Sequence, residues 1–173
     1  MSALPPAIRP VAPGSADLAT VTVIMEHYVK HTVATFNEIP PTADDWVQRH
    51  ADLAARGLPF LVAETAGGVA GFAYAAPWRQ QTAYRYTVEC TVYLAPEATG
   101  QGIGSALLTE LVDRSIAAGC RQMIAVIADT GNPASVALHR RLGFADAGRL
   151  HAVGLKHGRW IDTVLMQRDL TTG

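Results

Sequence analysis

The stretch that most constrains the fold is residues 82–128, where a strand, a glycine loop, a helix and a second strand follow one another. Residues 82–95 are rich in Thr, Val and Tyr, which favours a strand. The loop TGQGIG begins at residue 99, and apolar residues at helical spacing occupy 107–112. Residues 121–128 form a nearly continuous apolar run, which predicts a strand buried on both faces. This alternation of strands and helices indicates an α/β fold.

The segments before this unit add two helices and a hairpin. Apolar residues spaced by three and four predict a helix over 17–30. A threonine cap and a terminating glycine predict a second helix over 42–57. Two apolar runs around a Gly-Gly pair predict a hairpin over 59–78. Residues 7–12 predict a short strand, after a loose, proline-rich start over residues 1–7.

The segments after the unit add one helix and two strands. Asn132 is a suitable cap for a helix that ends at Gly143, and strands are predicted near 146–154 and 161–168. We see no linker and no internal repeat. The whole chain, residues 1–173, is therefore predicted to be a single mixed α/β domain.

Composition and charge exclude several classes of protein. The 173 residues are 49% apolar and 17% charged, which fits one globular domain with a core. A net charge of −1 gives no electrostatic basis for binding nucleic acid. No signal peptide and no apolar run long enough to span a membrane are found, so we expect a soluble, cytoplasmic protein. Cys90 and Cys120 lack the spacing of a zinc site and predict reduced thiols, with no metal.

The glycines at 100, 102 and 104 leave two interpretations open when taken alone. They can simply form a flexible turn before a helix. They can also expose backbone N–H groups at a helix start, which bind anions when no side chain blocks the approach. The loop is neither a Walker A loop nor a Rossmann fingerprint, because it lacks Gly-Lys-Ser/Thr and its third glycine has the wrong spacing.

Three longer segments carry a resemblance that decides between these interpretations. AYAAPWRQQTAYRYTVECTVYL, NPASVALHRRLGF and GLKHGRWIDTVLMQRDL resemble the GNAT acyltransferase superfamily, and within it the phosphinothricin/methionine-sulfoximine N-acetyltransferase group. The resemblance runs from about residue 8 to residue 170. In this superfamily a loop of the form Gln/Arg-x-x-Gly-x-Gly/Ala binds the pyrophosphate of acetyl-CoA. Thr99 stands where the family usually has Gln or Arg, so we expect slightly altered phosphate binding.

The resemblance implies a strongly twisted sheet in which two parallel strands, near 86–95 and 121–128, splay apart around acetyl-CoA. A backbone N–H of the first strand would polarise the thioester carbonyl. Asn132 would both start its helix and contact the pantetheine arm. The implied cofactor-binding residues are Thr91, Val92, Tyr93, Leu94, Thr99, Gly100, Gln101, Gly102, Ile103, Gly104, Ser105 and Asn132.

Glu89 is the first candidate for proton transfer. Strand alternation places it on the same face as Thr87, with Cys90 pointing the other way as a buried thiol. A solvated edge or an ion pair with Arg85 is almost as compatible with the pattern alone. The resemblance implies that Glu89 is catalytic and helps to deprotonate the attacking amine.

His139 is the second candidate. It lies beside the apolar stripe of its helix, where a histidine is more often structural. The resemblance implies a catalytic histidine here, so we expect His139 and Glu89 to share one proton path.

The acceptor is predicted to be a small amine with a carboxylate. Arg79 could bind that carboxylate through its planar guanidinium group, although most loop arginines are only surface charges. Gln81 replaces a second basic residue of the family, which disfavours doubly anionic substrates. Segment 156–160 is expected to close the pocket. The expected substrate-binding residues are Phe36, Trp78, Arg79, Tyr84, Thr87 and Glu89.

The resulting hypothesis is acetyl transfer to the α-amine of a small amino acid or analogue, of the methionine sulfoximine, methionine sulfone or phosphinothricin type. Two alternatives stay open: a peptide or protein N-terminal acetyltransferase of the same fold, and a non-catalytic acetyl-CoA sensor. The resemblance also implies a homodimer.

Overall fold

The computed structural model describes residues 5–171. The helices are α1 (Asp17–His31), α2 (Ala43–Ala55), α3 (Ile103–Ala117) and α4 (Ala134–Arg141). The strands are β1 (Ala7–Pro10), β2 (Phe60–Thr65), β3 (Gly68–Pro77), β4 (Thr87–Leu94), β5 (Gln122–Ala128), β6 (Ala145–Lys156) and β7 (Arg159–Asp169). The predicted mixed α/β single domain is confirmed.

One seven-stranded sheet organises the domain, in the order β1-β2-β3-β4-β5-β7-β6. Within the described residues, β4 and β5 are the one neighbouring pair that runs parallel. Their register lasts only from Thr87 opposite Gln122 to Cys90 opposite Ala125. Beyond these residues the two strands separate, as the resemblance implied. The separation opens a gap in the middle of the sheet.

Helices cover the sheet on opposite faces. Phe72 of β3 packs against Trp46 of α2, with ring centroids 5.5 Å apart. A Cβ atom on the preceding residue, Gly71, would lie 3.2 Å from Leu107 of α3. Because consecutive strand residues point to opposite faces, α2 and α3 lie on different sides of the sheet. Trp46, Phe72 and Leu107 are almost fully buried, so the core has two layers.

Helix α2 begins as its sequence predicts. The Thr42 hydroxyl accepts a hydrogen bond from the Asp45 N–H at 3.2 Å, and the Asp45 carboxylate accepts one from the Thr42 N–H at 2.7 Å. This reciprocal capping box satisfies two donors that the helix leaves unpaired. Gly57 follows the helix with φ +68°, a left-handed conformation that favours glycine.

Two element boundaries and the burial of one strand differ from the sequence predictions. The strand predicted from residue 82 begins at Thr87, because Thr82–Tyr84 forms a 3₁₀ turn closed by the Arg85 N–H on the Thr82 carbonyl. Strand β5 is not buried on both faces, since Val126 is 40% exposed where β4 has moved away. Ala7 belongs to β1 rather than to a loose start, and residues 1–4 lie outside the described residues.

Candidate active site

The gap in the sheet is bordered by the carboxyl ends of β4 and β5. Residues 91–94 of β4 stay paired with β3, while Val126–Ala128 of β5 stay paired with β7. The edges that face each other across the gap therefore have no strand partner in the described sheet. The Leu94 carbonyl is already bound by the Tyr28 hydroxyl at 2.8 Å. The edge open to a ligand's amides is thus centred on residues 91–93.

The glycine loop leads from β4 into α3 with its backbone uncovered. Gly100 and Gly102 have φ of +75° and +80°, and a Cβ on either would meet no protein atom within 4 Å. No side chain caps the start of α3. The first N–H groups of this 15-residue helix therefore have no capping side chain and are available to an anion.

The polar side chains of the loop turn away from this opening. The Thr99 hydroxyl donates to the Pro96 carbonyl at 3.0 Å, and the Gln101 amide donates to the Glu97 carbonyl at 2.9 Å. Thr99 and Gln101 thus stabilise the preceding turn and leave the backbone of the loop uncovered.

The neighbouring loop residues have different roles. Gly104 is buried, and a Cβ there would lie 3.4 Å from Leu138 and 3.6 Å from Leu94. Ile103 is also buried, and Ser105 is half-buried. These residues join α3 to α4 and β4, so only part of the predicted set faces outward.

Glu89 lies on β4 two residues before the open edge. It pairs with Ala76 of β3 and Ile124 of β5 and is half-buried. Burial raises the pKa of its carboxyl above the ordinary value, and the positive charge of Arg79 partly opposes this. The alternative of an ion pair with Arg85 does not form, because the Arg85 guanidinium donates to the Thr82 carbonyl and lies 4.8 Å from the Tyr86 ring centre.

His139 is buried on the other face of the same strand. Its Nδ1 lies 2.8 Å from the Ser135 carbonyl oxygen, which can only accept, so Nδ1 carries a proton. Its Nε2 lies 3.6 Å from Cys90 Sγ. Burial lowers the pKa of His139, which favours the neutral ring with Nε2 as acceptor. Burial also raises the pKa of Cys90 to about 12, so the thiol donates and is not a nucleophile.

Glu89 and His139 lie on opposite faces of β4. Glu89 and Cys90 are consecutive residues of one strand, so their side chains point to opposite faces. His139 contacts Cys90 and is 5% exposed, with its two ring nitrogens on the Ser135 carbonyl and Cys90 Sγ. The proton path that the sequence analysis expects Glu89 and His139 to share stays a prediction.

Asn132 precedes the cap position of α4, which Pro133 occupies, whereas the sequence predicts Asn132 itself as the cap. Its side-chain oxygen accepts from the Ala134 N–H at 3.0 Å, while the first helical hydrogen bond ends on the Pro133 carbonyl. Asn132 also lines a cavity of about 560 Å³ between α4 and strands β5, β6 and β7. Ile127 and Ala128 of β5 line both this cavity and the gap, whereas Glu89 and the glycine loop do not line the cavity.

The segment before β4 carries the predicted acceptor residues on an exposed loop. The Trp78 N–H donates to the Thr87 carbonyl at 3.1 Å and closes the loop. The Arg79 guanidinium lies over the Trp78 ring, 3.9 Å from its centre. Tyr84 is 44% exposed, and Thr87 is half-buried on the Glu89 face of β4. These residues therefore border the Glu89 side of the sheet.

Phe36 comes from a second loop, residues 32–38, which follows α1. Its ring packs against Gly154 of β6, where a Cβ would lie 2.4 Å from the ring carbons. The Tyr93 hydroxyl reaches the Ala34 carbonyl at 3.4 Å, and Tyr93 lies on the Glu89 face of β4. From the sequence, Tyr93 is predicted to contribute only its backbone. Its alternation with Glu89 along β4 is the sequence signal that its side chain points to the same face.

Among residues 5–171, no helix has the length and apolar character needed to cross a membrane. No group of three His, Cys, Asp or Glu side chains is arranged to hold a metal ion in that part of the chain.

Comparisons with known proteins identify the family of the chain. The model of the acetyltransferase (GNAT) family matches residues 24–144. The phosphinothricin N-acetyltransferase of Alcaligenes faecalis is 48% identical over 157 residues, which are 91% of this chain and 80% of that protein. The L-methionine sulfoximine/L-methionine sulfone acetyltransferase of Pseudomonas aeruginosa is 43% identical over 161 residues, 91% of each chain.

A solved structure matches the fold over nearly its whole length. The phosphinothricin acetyltransferase from Sinorhizobium meliloti, crystallised in complex with AcCoA, has a TM-score of 0.92 and 47% sequence identity. The match covers 98% of this chain and 91% of that one. On the family model and these relatives, the chain belongs to the GNAT family of acetyltransferases and is an N-acetyltransferase.

Proposed function

We propose that the protein transfers the acetyl group of acetyl-CoA directly to the α-amine of a small amino acid analogue, of the methionine sulfoximine, methionine sulfone or phosphinothricin type. The observation that carries the proposal is the placement of Glu89. This half-buried carboxyl, with a raised pKa, lies two residues before the point where β4 and β5 separate. A carboxylate placed there can accept the proton of an amine that enters from the same face of the sheet.

The residues of the gap and the glycine loop fit acetyl-CoA. Acetyl-CoA supplies an acetyl group activated as a thioester. The uncovered N–H groups after Gly102 would hold its pyrophosphate, and the open edge at residues 91–93 would hold its pantetheine amides. An N–H of that edge would also orient the thioester carbonyl for attack.

Glu89 is the proposed proton acceptor. An ammonium group cannot attack a carbonyl until it loses a proton, and its pKa lies above neutrality. Burial raises the pKa of Glu89, which makes the carboxylate a stronger base than an exposed one. His139 is assigned a positioning role, because its two nitrogens bind Ser135 and Cys90.

The acceptor is proposed to carry a carboxylate and a neutral side chain. Arg79 is free of ion pairs within the described residues and lies near enough to influence Glu89. It can bind one carboxylate through two parallel hydrogen bonds. A second anionic group, such as a phosphinate, would face Gln81 instead of a cation. Methionine sulfoximine and methionine sulfone should therefore be better substrates than phosphinothricin.

The protein is further proposed to be a cytoplasmic homodimer. Leu150, Val153, Leu155 and Trp160 of the β6–β7 hairpin are 47–67% exposed in the single chain. A patch of this kind favours association, because burying it removes apolar surface from water. Both cysteines are free thiols, which fits a reducing compartment.

A panel of amines tests the function. Purified protein is mixed with acetyl-CoA and with methionine sulfoximine, methionine sulfone, phosphinothricin, common amino acids or an Ala-initiated peptide, and free thiol is followed. We expect the highest kcat/KM with the two neutral analogues, and improved use of phosphinothricin by Gln81→Arg. Turnover of the peptide alone would favour the peptide acetyltransferase. Binding of acetyl-CoA without thiol release from any amine would favour the sensor.

A further inference from the structure

Lys156, at the end of β6, is a buried lysine without a carboxylate hydrogen-bond partner. It is 2% exposed. Its Nζ donates to the Thr35 carbonyl at 2.8 Å and to the Tyr28 carbonyl at 3.4 Å. A buried ammonium is costly unless its donors are satisfied. A methionine could fill similar space without that cost. The ammonium is instead held by these two hydrogen bonds and by the charge of Glu38, which partly opposes the lowering of the Lys156 pKa by burial.

Both acceptors belong to the junction between α1 and the loop 32–38. Tyr28 lies in the last turn of α1, where the carbonyls carry partial negative charge, and its carbonyl also accepts a hydrogen bond from the Thr32 N–H at 3.2 Å. Thr35 lies in the middle of the loop. The Lys156 ammonium therefore ties a helix end and a loop to a distant strand, 121 residues further along the chain.

The same loop is held at two further points. The Phe36 ring packs against Gly154, two residues before Lys156 on β6. The Ala34 carbonyl receives the Tyr93 hydroxyl of β4. Three consecutive residues of the loop, 34–36, are thus fixed by three contacts from two strands. A loop held in this way has few alternative conformations.

This loop faces the side of the sheet on which Glu89 lies. Tyr93 and Glu89 belong to one strand, with side chains four residues apart on one face. The buried Tyr93 hydroxyl has a pKa of about 12, raised mainly by burial and slightly by the charge of Glu89. The loop and the proposed base therefore border the same space.

We propose that Lys156 is a positioning residue for the amine substrate. It holds loop 32–38, and with it Phe36, in the arrangement that forms one wall of the acceptor pocket. The proposal rests on the function proposed above. It predicts that loss of the Lys156 ammonium weakens binding of the amine and leaves binding of acetyl-CoA unchanged, because the glycine loop lies on other elements.

The two lysines of the chain provide a matched pair of variants. Lys156→Met removes the buried ammonium and keeps the apolar stem. Lys30→Met makes the same change on exposed Lys30 of α1, which is paired with Glu26. For Lys156→Met we expect the KM of the amine to rise about ten-fold, because the loop leaves its binding-competent arrangement for most of the time. The Kd of acetyl-CoA should stay within two-fold. Lys30→Met should change neither value.

Hydrogen exchange gives a readout that does not depend on turnover. Exchange at residues 32–38 should be faster in Lys156→Met than in the wild type, while exchange in α3 is unchanged. Gly154→Ala is a second variant that leaves Lys156 intact. Its Cβ displaces the Phe36 ring, so it should also raise the amine KM without changing acetyl-CoA binding.

The outcomes separate the two proposals. Faster exchange of the loop in Lys156→Met, with a higher amine KM in both variants, supports the positioning role. Unchanged exchange and unchanged KM in folded Lys156→Met overturn it, as does an equal rise of KM in Lys30→Met. If the wild-type protein acetylates no amine, the proposed function fails. In that case, unchanged hydrogen exchange of loop 32–38 in Lys156→Met overturns the claim that Lys156 holds this loop in place.

Discussion

The variant Gly102→Ala tests whether the glycine loop only turns the chain or also exposes its backbone to a bound anion. Gly102 has φ +80°, and its missing Cβ faces open space. An alanine there meets no protein atom but must hold a left-handed conformation, which costs about 1–2 kcal/mol. If the loop keeps its shape, this cost lowers the free energy of unfolding. If the loop of the unbound variant adopts another conformation instead, stability is kept. The same cost then lowers the affinity for acetyl-CoA, because binding must restore the left-handed conformation.

The two effects should therefore sum to about 1–2 kcal/mol, which is a factor of about five to thirty when it appears in binding. Any obstruction of the phosphate by the new methyl group adds to the binding part. Gly104→Ala is the matched control. Its Cβ would make ordinary contacts with Leu138 and Leu94, and alanine favours a helix by about 1 kcal/mol over glycine. It should leave acetyl-CoA binding unchanged and should not destabilise the fold.

The assay compares two acetyl donors. S-Acetylpantetheine has the thioester and the pantetheine arm but lacks the pyrophosphate. Gly102→Ala should reduce kcat/KM with acetyl-CoA and leave kcat/KM with S-acetylpantetheine nearly unchanged. Denaturant unfolding of both variants measures how much of the cost appears as a lower free energy of unfolding. An equal reduction with both donors, or equal effects of the two alanine variants, would refute the assignment of this loop to the pyrophosphate.

Three further variants test the proton acceptor, the buried thiol and the exposed apolar patch of the β6–β7 hairpin. Glu89→Gln should lower kcat without changing the Kd of acetyl-CoA, and it should remove the rise of activity with pH, because only the deprotonated carboxyl accepts a proton and burial raises its pKa. In a Cys120→Ser background, Cys90 should react with Ellman's reagent only after unfolding, since burial raises the thiol pKa to about 12; fast reaction in the folded state would contradict its contact with His139. Trp160→Glu should shift the protein from dimer to monomer in sedimentation analysis, because it charges an apolar side chain that is 67% exposed; a wild-type monomer would refute the proposed interface.

Local patterns in the sequence predicted the elements well where one chemical signal dominates. Thr42 and Asp45 form the capping box that their spacing indicates, and Gly57 ends the helix in a left-handed conformation. The strand predicted from residue 82 started too early, because the β propensity of these residues does not reveal the 3₁₀ turn at Thr82–Tyr84. Apolar content likewise could not show that Val126 is exposed, since this depends on where β4 leaves β5.

The site residues were less predictable because they depend on contacts between distant segments. Alternation along β4 correctly separates Glu89 from Cys90. It could not show that His139 lies on the Cys90 face, because that depends on how α4 packs. From the sequence, Lys156 is expected to belong to a segment that closes the pocket, but the sequence could not show that this lysine is buried. Its burial arises from acceptors more than a hundred residues away.

The position of His139 suggests a reason for its presence that needs no proton transfer. Cys90 and Ala125 are the last paired residues before β4 and β5 separate. His139 binds Cys90 at that point through Nε2, while its Nδ1 is fixed to its own helix. Helix α4 is thereby attached to β4 beside the apex of the gap, in addition to its contacts with β5. Removing the imidazole should therefore alter how the gap opens, which would lower activity through geometry while Glu89 remains able to accept the proton.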